Sequence, residues 1–241
     1  MYEKLNGIVL NTVKYSDRNN IVHVYTDEHG LLSFAVPQGN TRGARMRNAM
    51  LMPLSLIEME ARMVPGRDLA TMHDLRCKQP LMSTHGDPVK NAIAMFMSEV
   101  LVHVIQERER NEALYTYIYN SVEILEHAQR GVANFHICFL IHLGALLGIE
   151  PDTATHRDGY WFNMTEGTFV PSAVGLGRYL PPHHAAVIVL LQRMRFDNLH
   201  LFKFNRDQRN EVLTIILDYY KLHNSTLGTL RSPEVLKQLF V

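Results

Sequence analysis

The chain is 241 residues long, 46% hydrophobic and 20% charged, with 24 Lys/Arg against 24 Asp/Glu and two cysteines. That composition is ordinary for a globular protein and argues against disorder, and a zero net charge means that attraction to a polyanion or a membrane has to be local. Cys77 and Cys138 leave no disulfide framework to infer and fit a reducing cytoplasm with both thiols buried.

The opening Met1–Gly7 has no apolar h-region, which argues against secretion. The longest apolar run, Ala185–Leu191, is too short to span a bilayer. The expectation is a cytoplasmic protein without membrane association. Its charge is slightly asymmetric. Residues 1–80 hold ten Lys/Arg against eight Asp/Glu, and residues 81–241 fourteen against sixteen.

Residues 1–80 read as β. Ile8–Tyr15, Ile21–Thr26 and Leu31–Val36 are short runs rich in β-branched and aromatic residues, separated by turn chemistry at Ser16-Asp17 and His29-Gly30. Leu54–Met63 alternates, with Ile57, Met59, Ala61 and Met63 on one face and Glu58, Glu60 and Arg62 on the other. Pro65-Gly66 turns the chain into Leu69–Cys77. Five short strands in this length predict a small closed barrel of the oligonucleotide/oligosaccharide-binding (OB) type.

From Asp87 the period is helical. Asp87-Pro88 reads as an N-cap and first-turn proline ahead of a helix from Val89 to about Glu107. Further helices are expected over Glu112–Ala128, Val132–Leu147, His183–Arg195, Asn205–Leu222 and Pro233–Phe240, with the junction at Pro80–Gly86. A β-hairpin interrupts them, Tyr160–Asn163 and Thr168–Val170 about the turn Met164–Gly167. The predicted class is α+β: an OB barrel over residues 1–80, then a mostly helical domain over 81–241 with a hairpin insertion at about 157–171.

No acidic residue lies between Glu28 and Glu58, and the middle of that stretch, Gln38–Asn48, reads as a glycine-containing loop with Arg42, Arg45 and Arg47. Guanidinium groups on such a loop suit backbone phosphates, and Lys14, Arg18, Arg62 and Arg67 could widen the patch. The competing reading is a solvated loop that keeps a sheet edge soluble. His23 and Tyr25 share a face of their strand and are either base stackers or half-buried barrel residues; Tyr15 carries the same pair of readings.

Thirteen histidines raise a metal hypothesis that their spacing does not support. His183 and His184 are adjacent, so helical geometry would point their rings apart, and His136 and His142 do not share a helical face. There is no HExxH, paired CxxC, GxSxG, P-loop or GxGxxG; Gly175-Leu176-Gly177 lacks the third glycine. Glu99, Glu123, Glu126 and Asp218 fall on amphipathic helices, where a solvated face is the default. Nothing reads as an active site, and no metal or cofactor is expected.

Gly7–Leu10, Tyr15-Ser16-Asp17, Ile21-Val22, Tyr25–Gly30, Gly39 with its following arginines, and Leu51–Leu54 together resemble the opening of the bacterial RecO family. Tyr219–His223 and Leu230–Leu236 resemble that family's closing segments. The resemblance implies an OB barrel and a helical domain in a recombination mediator that catalyses no covalent chemistry. It implies binding of single- and double-stranded DNA, strand annealing, engagement of the acidic C-terminal tail of single-stranded-DNA-binding protein (SSB), action with RecR, and, indirectly, loading of RecA. Many members carry a four-cysteine zinc site around the hairpin. The corresponding stretch here, Arg157–Pro171, has no cysteine, and Tyr160, Trp161, Phe162 and Phe169 are expected to staple it instead. A rival reading is a non-catalytic scaffold whose barrel binds polypeptide. A third, a small metal-dependent hydrolase, needs ligands that the spacing does not supply.

Overall fold

The computed structural model describes residues 2–64, 66–105, 108–175 and 177–239. Four sequence readings reach beyond these residues: the Pro65-Gly66 turn, a helix as far as Glu107, the Gly175-Leu176-Gly177 comparison, and an end at Phe240. The chain divides into two compact units, Met1–His127 and Ala128–Val241.

The first unit begins with β1 (Glu3–Lys14), β2 (Asn19–Thr26), β3 (Gly30–Pro37), helix α1 (Arg42–Met50), β4 (Leu56–Arg62) and β5 (Leu69–Gln79). The strands close a barrel in the order β1-β2-β3-β5-β4, the OB arrangement. Twelve-residue β1 pairs with β2 along one edge and β4 along the other, with a register shift between Val9 and Asn11 where it bends. Alternation decides what fills the interior: Val9, Val22, Val24, Phe34, Ile57, Met59 and Ala61 are buried together. Glu58 and Arg62 of β4 face out, as its alternation predicts.

Three helices follow within the same unit: α2 (Met82–Gly86), α3 (Pro88–Val104) and α4 (Glu112–His127). Asp87 caps α3 by accepting from the Val89 and Lys90 amides at 2.8 and 3.0 Å, with Pro88 in the first turn. The stripe Ile93, Phe96, Met97, Val100 and Leu101 is fully buried. α2 has no side chain of its own capping it. Glu126, from the last turn of α4, accepts from the Ser83 and Thr84 amides at 2.8 and 2.7 Å and supplies that cap. Glu126 therefore departs from the solvated role its helix position predicts.

The second unit contains α5 (Phe135–Leu146), β6 (Trp161–Asn163), β7 (Thr168–Val170), β8 (Tyr179–Leu180), α6 (Pro182–Leu191), α7 (Arg206–His223) and α8 (Ser232–Leu239). The expected hairpin is β6–β7, and β8 adds a third strand on the far side of β6. Two residues are too few to announce a strand by pattern. Asn205 and Gln208 form a capping box that starts α7. Phe162, Met164, Phe169, Ala185, Ile188, Ile215 and Tyr219 form the core beneath the hairpin.

Candidate nucleic-acid interface

Cross-strand register assembles one face of the barrel. Val13 pairs with Ile21, Ile21 with Ala35, Ala35 with Thr71 and Thr71 with Arg62, so these five residues form a rung across β1, β2, β3, β5 and β4. The next outward rung is Asn11, His23, Ser33 and Leu69. None of these nine residues is buried, in contrast to Val22, Phe34 and Ala70 on the inward rung between them.

One end of this face is covered. Tyr25 shares the outward side with Ile21 and His23, yet it is only 1% exposed, with the Tyr115 ring of α4 at 6.2 Å. A ring so enclosed cannot stack on a base, so the expectation for Tyr25 as a stacker fails, and its packing reading holds. His23 is half-buried, with Nδ1 2.9 Å from Ser33 Oγ, and desolvation pushes its pKa down and favours the neutral ring. The exposed aromatic near this face is Tyr15, 67% exposed just beyond β1.

The arginine segment is a helix rather than a loop. Thr41 caps it, accepting from the Ala44 amide at 3.2 Å, and Arg42–Met50 is helical. Helical spacing sends the arginines in two directions. Arg42 and Arg45, three apart, are exposed together with Met46, which is 65% exposed. Arg47 is half-buried and donates through Nη2 to the Pro37 carbonyl at 2.6 Å.

Gln38 ties the turn between β1 and β2 to the segment that enters α1. Its Nε2 donates to the Ser16 carbonyl at 3.0 Å and to Asn20 Oδ1 at 2.7 Å, while its backbone amide donates to the Arg18 carbonyl at 2.8 Å. These bonds hold Arg18 beside the segment that enters α1. Lys14 pairs with Asp17 at 3.3 Å, but both side chains are largely solvated and the pair is weak. Among the described residues, no side-chain hydrogen bond or ion pair engages Arg18, Arg42, Arg45, Arg62 or Arg67. Arg62 reaches the same face through its rung. Arg67 lies past β4, lining a hollow with Leu31, Ser33, Asp68 and Arg108. Gln38, Ile21, Ala35 and Thr71 carry no chemical signature of their own, although strict alternation in β2 would have grouped Ile21 with His23.

The cysteines and histidines also find places. Cys77 is exposed, because the register shifts of β5 break its alternation, and only Cys138 is buried; burial pushes its thiol pKa up to about 12. The His183 and His184 rings sit 4.0 Å apart rather than diverging, since neighbouring side chains at a helix start can fold onto one another. His184 Nε2 is 2.6 Å from Glu211 Oε1. Among the described residues no group of three His, Cys, Asp or Glu side chains could hold a metal ion. A thiolate zinc site does not fit the hairpin: it has no cysteine, and the nearby His156 ring packs edge-on against Phe169 at 4.9 Å. No helix among the described residues is long and apolar enough to cross a membrane.

Comparison with known proteins agrees with this architecture. The family described as "Recombination protein O N terminal" matches residues 1–81, and that described as "Recombination protein O C terminal" matches residues 85–226. The chain is 38% identical over 240 residues to the DNA repair protein RecO of Phocaeicola vulgatus, with 100% of both chains covered. It is 36% identical over 241 residues to that of Bacteroides fragilis, again over 100% of both, and 34% identical to that of Porphyromonas gingivalis over 97% of each. The five-stranded barrel, the helical region that follows it and the full-length matches converge: this chain belongs to the RecO family.

Proposed function

We propose that this protein is a DNA-binding recombination mediator that makes and breaks no covalent bond. The observation that carries the reading is the arc of unengaged guanidinium groups at one end of the barrel, Arg42 and Arg45 on α1 with Arg18 held beside them through Gln38. Lys14 and Arg62 extend the arc along the open face. Arginine forks match phosphate oxygens and position a strand without reading its sequence. Tyr15 and the neutral His23 ring lie where bases of an unpaired strand can rest.

Mediation then follows from tethering. A barrel that holds one strand while the helical unit holds a partner raises the local concentration of complementary strands, and so promotes annealing and RecA loading on SSB-coated DNA with RecR. A cavity of about 460 Å³ in the second unit suits the acidic SSB tail: Leu190, Leu201, Phe202 and Phe204 give it apolar walls, and Arg193 and Lys203 supply cations.

Fluorescence anisotropy with a labelled single strand at low and moderate salt tests the reading. Wild-type affinity should fall steeply with salt, and replacing Arg42, Arg45 and Arg47 together with Ala should reduce the log–log slope by about 2. Unchanged DNA affinity in that variant, with loss of a protein partner in pulldown, would instead favour a barrel that binds polypeptide.

A further inference from the structure

The phosphate reading leaves one cavity beside the open face unused, and it is not a phosphate site. It has a volume of about 290 Å³, at the small end of the range for ligand sites of roughly 300 Å³ and above. Ala35, Val36, Pro37, Met72 and Leu75 make its walls largely apolar, and Arg47, His73 and Asp74 supply its polar groups.

Two of those polar groups are held in unusual states. Arg47 is anchored by its Nη2 bond to Pro37, but its Nε is sealed from solvent and finds no acceptor among the described residues. With Nε sealed away, the rest of the Arg47 side chain is what lines the cavity, and it brings the guanidinium charge to the cavity wall. Asp74 sits in the left-handed region, φ +44°, where β5 slips register between the pairs Glu58–Arg76 and Glu60–His73. Such bulges re-aim a side chain out of the regular pleat. Among the described residues, the Asp74 carboxylate is engaged through Oδ2 alone, by Arg76 Nη2 at 2.7 Å.

From this geometry we infer that the cavity is a pocket for one unpaired nucleobase, selective for the keto bases guanine and thymine. The inference rests on the DNA-binding reading above. A keto base presents a ring carbonyl beside an imino N–H. The carbonyl accepts from Arg47, the imino N–H donates to Asp74, and the ring lies between apolar walls. Adenine and cytosine lack the imino hydrogen, and a phosphate would meet the Asp74 carboxylate. Bases stacked inside a duplex cannot enter, so the pocket also favours single strands.

The test uses full-length protein and short labelled oligonucleotides that carry thymine, cytosine or an abasic residue at every position. Wild-type protein should bind the thymine strand about tenfold more tightly than either of the others at one salt concentration. Arg47→Lys and the pocket-filling Ala35→Leu should each bring the thymine-to-cytosine ratio close to one, with melting curves showing both variants folded. Equal affinity of wild type for thymine and cytosine strands overturns the pocket and leaves phosphate binding intact. Equal weakening of Arg47→Lys toward all strands, with the ratio preserved, also overturns it and makes Arg47 a phosphate contact. Failure to bind any strand at low salt overturns the DNA-binding reading itself.

Discussion

Lys90 Nζ donates to the main-chain carbonyl of Glu126 at 2.8 Å, and a second bond at the same distance reaches Ser83 Oγ. Lys90 is only 7% exposed, so this ammonium group joins α2, α3 and α4 from the inside. The Glu126 carboxylate completes the junction through the Ser83 and Thr84 amides. Burial alone would raise the Glu126 pKa, but those amides and the Lys90 charge outweigh it and hold the group below the usual carboxylate range. Lys90→Met keeps the packing and removes the donors. It should cost about 1–3 kcal/mol, read from urea unfolding of the purified protein. A variant as stable as wild type would show that the junction contributes nothing.

The buried His136 ring makes the protein sensitive to acid. Burial, assisted by the Arg209 charge, lowers its pKa from 6.5 to about 3. The unfolded chain therefore takes up a proton below about pH 6.5 that the folded state refuses. Stability from this site is complete above that value, declines as the pH falls, and is lost below about pH 3. Melting temperatures measured between pH 7 and pH 4 should drop for wild type and drop less for His136→Gln. Parallel profiles would exclude His136 as a source of the loss.

The hairpin of the second unit stands on aromatic packing. Phe162 is fully buried, with the Phe169 ring at 4.9 Å and the Tyr219 ring at 5.7 Å. Phe162→Ala should destabilise the protein by about 3–5 kcal/mol. Treatment with a strong chelator should leave the melting temperature of wild type unchanged. A chelator-induced drop would point to a metal that the hairpin residues do not explain.

Gly131 has no tolerance for a side chain. Its φ is +69°, and an added Cβ would stand 2.5 Å from the backbone nitrogen of His200. The turn it opens carries Asn134, which donates to the Leu199 and Phe202 carbonyls at 3.1 and 2.8 Å and accepts from Arg209 Nε at 3.1 Å. Gly131→Ala should cost more than about 2 kcal/mol, the left-handed backbone and the close approach adding together. It should also weaken any ligand of the neighbouring cavity at Leu201 and Phe202. Wild-type stability in this variant would mean that the segment around His200 shifts easily.

The barrel was legible because strand periodicity is a local property: apolar residues at every second position reported the inner faces of β2, β3 and β4. The helix caps at Asp87 and Asn205 were legible for the same reason. α1 was not, since Ala44 is its sole buried residue among polar and glycine neighbours, and a helix with almost no apolar face leaves no period to read. Tyr25 was ambiguous until α4 was seen to cover it, which is a contact across ninety positions of sequence. Of the candidate interface, charge was readable and direction was not. Arg42 and Arg45 diverge from Arg47 only because a helix turns between them.

One seam of the barrel is much shorter than the others. β3 and β5 meet in parallel over only three pairs, Ser33–Leu69, Phe34–Ala70 and Ala35–Thr71, while β2 and β3 pair along eight. The cylinder is thus a nearly complete antiparallel ribbon fastened by a small latch. Thermal breathing will begin at that latch, and the amides of residues 69–71 will exchange with solvent before those of β2. Because Ala35 belongs both to the latch and to the wall of the Arg47 cavity, each brief unfastening also widens the cavity mouth.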